Sequence, residues 1–513
     1  MGNLTPELAK LRDETRELAR RYGLDFYEVI FELVDYDELN MIAAYGGFPT
    51  RYPHWRFGME YEQLSKSYSY GLSKIYELVI NNDPCYAYLM RSNAITEQKL
   101  VMAHVYGHCD FFKNNLWFSK TSRKMMDIMA NHGARVRRYM DRHGVGPVEE
   151  FIDIVLSVDN LIDAYGPFID RGGALPKREP DAASSSAPHK IAAKDYMDRY
   201  INPPDFLAKQ KRRDQDAQKR QRYFPARPVR DVLKFLLDYA PLEPWQQDIL
   251  SMLREEAYYF APQGMTKIMN EGWATYWHSK LMTQHFLEAS EIVHYADQHS
   301  GVVHMEPGGF NPYKIGVELF RDIEDRWNKG KFGIEYDRCD DPEKRRRWDT
   351  GAGLGREKVF EVRKIYNDIS FLDEFITPEF AEDQKLFVWG VNQQTGEHVI
   401  VDRDYTKVKT QLLDALTNFG QPIIQVADAN YKNRGELYLF HDWHGTDLLF
   451  EHALQTLKGV HALWKRPVHI ETCEKAKPRL LSFDGNEAST REIKGNKSAA
   501  EVALGGVGSD REG

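Results

Sequence analysis

Apolar positions three and four apart dominate the first two thirds of the chain, the spacing of helices with one buried face. It begins with Leu8, Leu11, Leu18 and Tyr22 and continues through Phe26, Val29, Ile30 and Leu33, so the stretch from Pro6 to about Tyr165 reads as mainly helical. Inside it YAYLMR, residues 86–91, reads as a short strand bracketed by Asp83-Pro84 and Ser92-Asn93. A helix is expected from about Thr96 to Phe112, and another from about Ser122 to His143. Helical spacing returns over 232–286, 312–328 and 355–372.

The pattern shifts near Gln384. LFVWGVN and HVIVD alternate as a hairpin would around residues 393–396, and an amphipathic helix follows over 406–417. PIIQVAD and GELYLF flank a turn at 430–435, with a helix at 446–463 and a strand PVHIET after it. The order β-β-α-β-β-α-β predicts a compact mixed domain. The expected fold class is therefore α+β: a large mainly helical domain over 1–383 with a short strand region, then a small α+β domain over 384–480. Residues 171–190, rich in Gly, Pro, Ala and Ser, read as a flexible insert, and 481–513 as a polar, disordered tail.

Composition narrows the class. Of 513 residues, 42% are hydrophobic and 28% charged, ordinary for a globular protein, and 28 Tyr, 26 Phe and 10 Trp can furnish a large interior. A net charge of −9 gives no global attraction to nucleic acid or anionic membrane. The nine Lys and Arg between Lys209 and Arg230 read as a solvated charged helix and loop, with contact to an anionic partner as the alternative. Nowhere do enough apolar residues run together to span a membrane. There is no secretory leader pattern at the start, and the four cysteines form no CxxC pair, so a cytoplasmic location is expected.

The candidate chemistry lies in LVMAHVYGHCDFFKNN, residues 100–115. His104 and His108, four apart on a helix, stack on one face, as the two histidines of HExxH do when they share one metal ion. A third ligand is offered by Glu271 in KIMNEGWATYWHSK, because gluzincin-type metalloproteases draw theirs from a Glu on a second helix, often within an Asn-Glu pair. The strand before the first metal helix also suits a zincin-like domain. One position departs: the general-base Glu of HExxH is replaced by Val105. Glu255, Glu256 or His278 are candidates for that role, and His299 or His304 in the loop HSGVVHMEPGGFNPY for lining the cleft. Asp110 is a candidate for orienting an imidazole, Cys109 reads as a small buried residue, and His441 and His444 read as surface or turn residues. The acids of YNDISFLDEF read as solvated. No phosphate-binding glycine loop and no nucleophile elbow occur.

Five blocks, AHVYGHCDFFKNN, TKIMNEGWATYWH, NPYKIGVELF, LTNFGQPIIQVADANYKNRGELYLFH and WKRPVHIET, together resemble the stage V sporulation protein R (SpoVR) family, and the likeness covers nearly the whole chain. The resemblance implies a link to formation of the spore cortex, a peptidoglycan layer, and to stress response in organisms that do not sporulate. It also implies a serine protein kinase and a von Willebrand-type domain protein as companions.

Residues and resemblance together lead to two expectations. The first is a divergent gluzincin-like hydrolase acting on a peptide or peptidoglycan-precursor amide, with a divalent ion, zinc, on His104, His108 and Glu271, assisted by His278, Glu256 and His299. The second is a non-catalytic regulatory or scaffold protein working with the kinase, its metal-like cluster structural or vestigial.

Overall fold

The computed structural model describes residues 4–69, 77–169, 203, 224–306, 309–391 and 398–493. The chain is mixed α+β, mostly helical with small sheets, and divides into two compact units: Met1–Val145 with Tyr258–Gly420, and Gly146–Ala257 with Gln421–Gly513. The expected insert at 171–190, most of the basic stretch and the turn at 393–396 lie outside the described residues. Among the described residues no helix is long and apolar enough to cross a membrane.

The first unit opens with α1 (Pro6–Arg21), whose N-cap Thr5 accepts from the Leu8 amide and whose Pro6 sits in the first turn. Next comes β1 (Val29–Val34), not the helix that the spacing of Phe26 to Leu33 predicts. The run VIFELV is β-branched and aromatic, and it pairs in parallel with β3 (Cys85–Met90), with β2 (Glu77–Ile80) antiparallel on the other side. Tertiary pairing overrides a spacing that fits either state. Helices α2 (Tyr36–Ala44) and α3 (Trp55–Ser69) lie between β1 and β2 in the chain.

Three helices form the centre of this unit. In α4 (Ile95–Asn114), Glu97 reaches back to accept from the Ala94 amide at 2.7 Å, and every residue from Val101 to Phe112 is buried. Such a helix belongs inside a core rather than on it. After α5 (Met125–His143), which ends where expected but starts three residues later than Ser122, the chain leaves for the second unit. It returns to build α9 (Lys267–Leu281), also buried nearly all round, and α11 (Pro312–Asn328), the stretch the sequence pattern delimits. Between them lies the more exposed α10 (Ile292–Val302).

Small residues let the three helices meet. A Cβ on Gly107 of α4 would lie 2.7 Å from the Ala274 Cα of α9, and a Cβ on Gly272 of α9 would overlap the backbone of Gly316 on α11. Around them pack Leu33, Leu89, Val105, Phe111, Trp273, Phe320 and Phe371. The stretch 355–372 is two helices, α12 (Gly355–Ile365) and α13 (Asp368–Phe375), because Asn367 starts a new one by capping Ser370. The Asp368 carboxylate is buried and accepts from the Ile268 and Met269 amides at 2.9 Å each, closing the start of α9. Reading the acids of this segment as solvated is thus corrected for Asp368: the open amides of a helix N-terminus draw a carboxylate inward. A small hairpin, β4 (Val388–Val391) with β5 (His398–Asp402), and α15 (Tyr405–Leu416), which follows α14 (Pro378–Asp383), belong to this unit as well.

The second unit gathers α6 (Val145–Leu156), all but its first residue, α7 (Val232–Tyr239) and most of α8 (Pro244–Met265) with a five-stranded sheet. The strands are β6 (Ile424–Tyr431), β7 (Glu436–His441), β8 (Val468–Glu474), β9 (Lys477–Phe483) and β10 (Ala488–Glu492), in the order β10-β9-β8-β7-β6. Only β7 and β8 are parallel, joined through α16 (Phe450–Trp464). The face toward α16 carries Leu437, Leu439, Val468, Ile470, Leu481 and Phe483, all buried, with His461 of α16 meeting Phe483 edge-on at 5.1 Å. The division differs from the expected boundary at 384: the α+β segment parts at Gly420, and its sheet runs on to Glu492, into the stretch read as a tail. The polar β10 is held by antiparallel pairing with β9 rather than by an apolar face of its own.

Candidate metal centre

Helix α4 carries His104 and His108 on one face, their rings 4.6 Å apart between centroids and nearly perpendicular. The glycine contact at Gly107 lets α9 run close enough for Glu271 to reach both. Its Oε2 lies 3.6 Å from His104 Nε2 and 3.4 Å from His108 Nε2, and one ligand atom from each residue falls within 4.8 Å of the others. These separations exceed the usual hydrogen-bond length of about 2.7–3.2 Å. The shorter equals, and the longer exceeds by about 0.2 Å, the edge of a tetrahedron around an ion bound at about 2.0–2.1 Å, which comes to about 3.3–3.4 Å.

The donor set passes a second test. Glu271 Oε2 is buried and makes no hydrogen bond, an arrangement that is costly for an ionised oxygen unless a cation completes it. Burial alone raises the Glu271 carboxyl, yet the imidazoles of His108 and His104 hold it well below the usual carboxylate range. The far nitrogens of both rings are engaged behind the site. His108 Nδ1 donates to Asn270 Oδ1 at 2.9 Å, and His104 Nδ1 pairs with His278 Nδ1 at 2.8 Å. With Nδ1 occupied, each Nε2 is the nitrogen left to face Glu271. Two imidazoles and one carboxylate suit a divalent ion such as zinc.

The remaining candidates separate. His278, 2% exposed, touches His104 on one side, and its Nε2 lies 3.3 Å from His299 Nδ1 on the other. Burial and the imidazoles of His104 and His299 hold it well below the ordinary histidine range, and burial lowers half-buried His299 too. His304 is exposed and pairs with Glu306 at 2.9 Å instead of joining the cluster. Glu256 is buried on α8 and Glu255 is exposed there; among the described residues the group of ligand atoms that could share an ion is His104, His108 and Glu271 and includes neither. Val105 is wholly buried among the apolar core residues.

Asp110 does not orient an imidazole. Its carboxylate accepts from Trp273 Nε1 at 2.8 Å and from the Asp25 amide at 2.7 Å, with Arg363 Nε at 3.5 Å, and burial pushes its pKa up to about 6. A residue two beyond His108 on a helix points some 200° around the axis, away from the metal face. Cys109 is fully buried, as its position on the helix predicts.

Sequence spacing missed two contributors. Asn270 was visible only as the neighbour of Glu271, and Tyr313, whose ring stacks on His104 at 6.4 Å, only as part of NPYKIG. In the second unit His441 is buried and pairs with Thr472 at 2.8 Å, which corrects its reading as a surface residue; His444 is exposed as expected. There too the sheet face away from α16 brings together Glu436, His469 and Ser482, with His469 bonded to Glu436 at 2.9 Å and to Ser482 at 2.8 Å. That cluster spans three strands, so no linear spacing announces it.

The fold and the site define a mostly helical protein built around two histidines and one carboxylate. Comparison with known proteins places it further: the family described as SpoVR like protein matches residues 3–421, and the one described as SpoVR-like C-terminal domain matches 422–475. The chain belongs to the SpoVR family. It is similar to a protein of Escherichia coli (strain K12) named "Uncharacterized protein YcgB", with 28% identity over 510 residues, covering 91% of this chain and 94% of that protein. No solved structure matches.

Proposed function

We propose that this protein is a divergent, gluzincin-like metal-dependent hydrolase, with His104, His108 and Glu271 holding one divalent ion, zinc. The observation that carries the reading is the set of N···O separations of 3.4 and 3.6 Å around a buried carboxylate oxygen, with both histidines tethered from behind. A bound divalent ion there supplies polarisation of a substrate carbonyl and acidification of water. The chain's own residues supply the rest: Glu271 and the two imidazoles bind, Val101 to Phe112 exclude water from behind the site, and Tyr313 lies alongside His104. The strand β3 before α4, and α9 packed against α4, support the class. The substrate, a peptide or peptidoglycan-precursor amide met in the cytoplasm, follows from the link to the spore cortex that the resemblance implies.

Val105 favours a second reading. Without a carboxylate beside His104 the cluster lacks the usual base, as a structural or vestigial site would, in a regulatory or scaffold protein serving a serine protein kinase and a von Willebrand-type partner.

Metal analysis of the purified chain separates the proposals. One equivalent of zinc in the native protein, lost in folded His104→Ala and Glu271→Ala, is the expected result. Zinc-dependent cleavage of amide substrates, abolished by the same changes, supports the hydrolase. A folded native protein that takes up no metal overturns it, and stoichiometric metal without cleavage across a panel of peptides and peptidoglycan precursors supports the scaffold.

A further inference from the structure

Helix α9 does more than deliver Glu271. Asn270, one residue before it, meets His108 Nδ1; His278, seven residues after it and two turns along, meets His104 Nδ1. Both histidine ligands of α4 are thus held from behind by the helix that supplies the third ligand. The donors and acceptors in this arrangement have only one consistent order. A neutral imidazole has one N–H and one lone pair. If His104 presents its Nε2 lone pair to an ion, its Nδ1 carries the proton and must donate to His278 Nδ1. His278 Nδ1 is then an acceptor, so its proton sits on Nε2, which donates to His299 Nδ1 at 3.3 Å. His299 is left with its own proton on Nε2, at the half-exposed end of the row. On the other ligand the Asn270 amide oxygen accepts, which likewise places the His108 proton on Nδ1.

We infer that Asn270 and His278 are the positioning residues of the metal centre, and that His299 fixes the tautomer of His278, so that the row His104–His278–His299 runs in one direction when the ion is bound. The inference rests on the metal reading of His104, His108 and Glu271. It changes the role of His278: with both ring nitrogens committed and the ring buried, His278 acts through His104 rather than on a substrate. It also describes an unequal pair of anchors, a neutral amide behind one ligand and an imidazole behind the other, where metal-bound histidines often have a carboxylate.

The test is zinc affinity by chelator competition on the full chain, with histidine tautomers read by nitrogen-15 NMR. His278→Leu and Asn270→Leu are expected to weaken zinc about 10- to 100-fold, the usual effect of removing such a partner. His278→Asn, whose side-chain oxygen can stand where Nδ1 stood, is expected to restore most of that loss. Asn270→Asp, which puts a carboxylate behind His108, is expected to bind zinc more tightly than the native chain, a gain that a merely structural role does not produce. In the zinc-loaded native protein His278 is expected as the Nε2–H tautomer. An Nδ1–H tautomer at His278, or folded leucine variants that bind zinc as tightly as the native chain, overturns the inference while leaving the metal reading intact. A folded native chain that binds no zinc overturns both. The tautomer measurement needs no variant, so it decides even if His278→Leu does not fold.

Discussion

Asp368 shows how one side chain can couple this fold to pH. Its carboxylate is fully enclosed against the start of α9, and burial raises its pKa to about 7, against two favourable amide hydrogen bonds. An acid whose folded pKa stands above its unfolded value of about 3.9 contributes stability that is complete below that value and is lost as pH rises through 7. Asp368→Asn removes the titration. The native chain's stability advantage over this variant should therefore shrink between pH 5 and pH 8 in thermal melts; an advantage that grows with pH would contradict the burial argument. At this scale the sequence displayed the pair His104 and His108 and the Asn270-Glu271 step, because ligand spacing on a helix is a local property. The partner of His104 was not legible. His278 was recognisable as a polar residue on the right face of its helix, but that it meets His104 depends on how closely two helices pack, and 174 residues separate the two in the chain.

Among the elements, α9 is the most constrained, because glycines set its distance from both neighbours. Gly272→Ala drives a methyl into the Gly316 backbone, which cannot yield as a side-chain tip can. The expected cost is about 1–3 kcal/mol in chemical denaturation, together with weakened zinc binding as Glu271 is pushed off α4. Gly58→Ala is the control. It sits in α3 with nothing within 4 Å of the added carbon, and it should stabilise by about 0.5–1 kcal/mol, since alanine is the better helix former. Equal effects at the two sites would show that close helix approach does not govern α9. The helices were legible where their caps are strong: Asn311 and Pro312 mark the start of α11 as surely as any pattern does. The strand β1 was not, since Val29, Ile30 and Leu33 satisfy a helical spacing and only β3, some 55 residues later, decides otherwise.

The whole molecule parts where the two family matches meet, Gly420 and Gln421 against residues 421 and 422. Sequence pattern put that boundary near 384 because alternating strands begin there, and β4 and β5 are indeed strands; what it could not display is that, among the described residues, they form a two-stranded sheet apart from the five-stranded one. The second unit is also discontinuous. Val229 pairs with Val426 of β6, and Gly459 of α16 lies against Ser157 and Val158. Residues 421–513 produced alone would therefore expose one edge of the sheet and one side of α16. We expect them to melt without a cooperative transition in circular dichroism, and to regain one when residues 146–257 are supplied; a sharp transition from the isolated piece would refute the account.

The residues that separate α4 from α9 bear on how the protein is made. On the ribosome, His104 and His108 emerge long before Asn270 and Glu271, Asn270 lying 162 positions after His108, and much of the other unit is translated in that interval. A nascent chain paused anywhere in it holds two imidazoles and no acidic partner, too few donors to retain a metal firmly. On the metal reading proposed above, loading of the site waits until α9, complete at Leu281 and so past the middle of the 513-residue chain, packs beside α4, and cofactor capture then signals that this long-range part of folding is done.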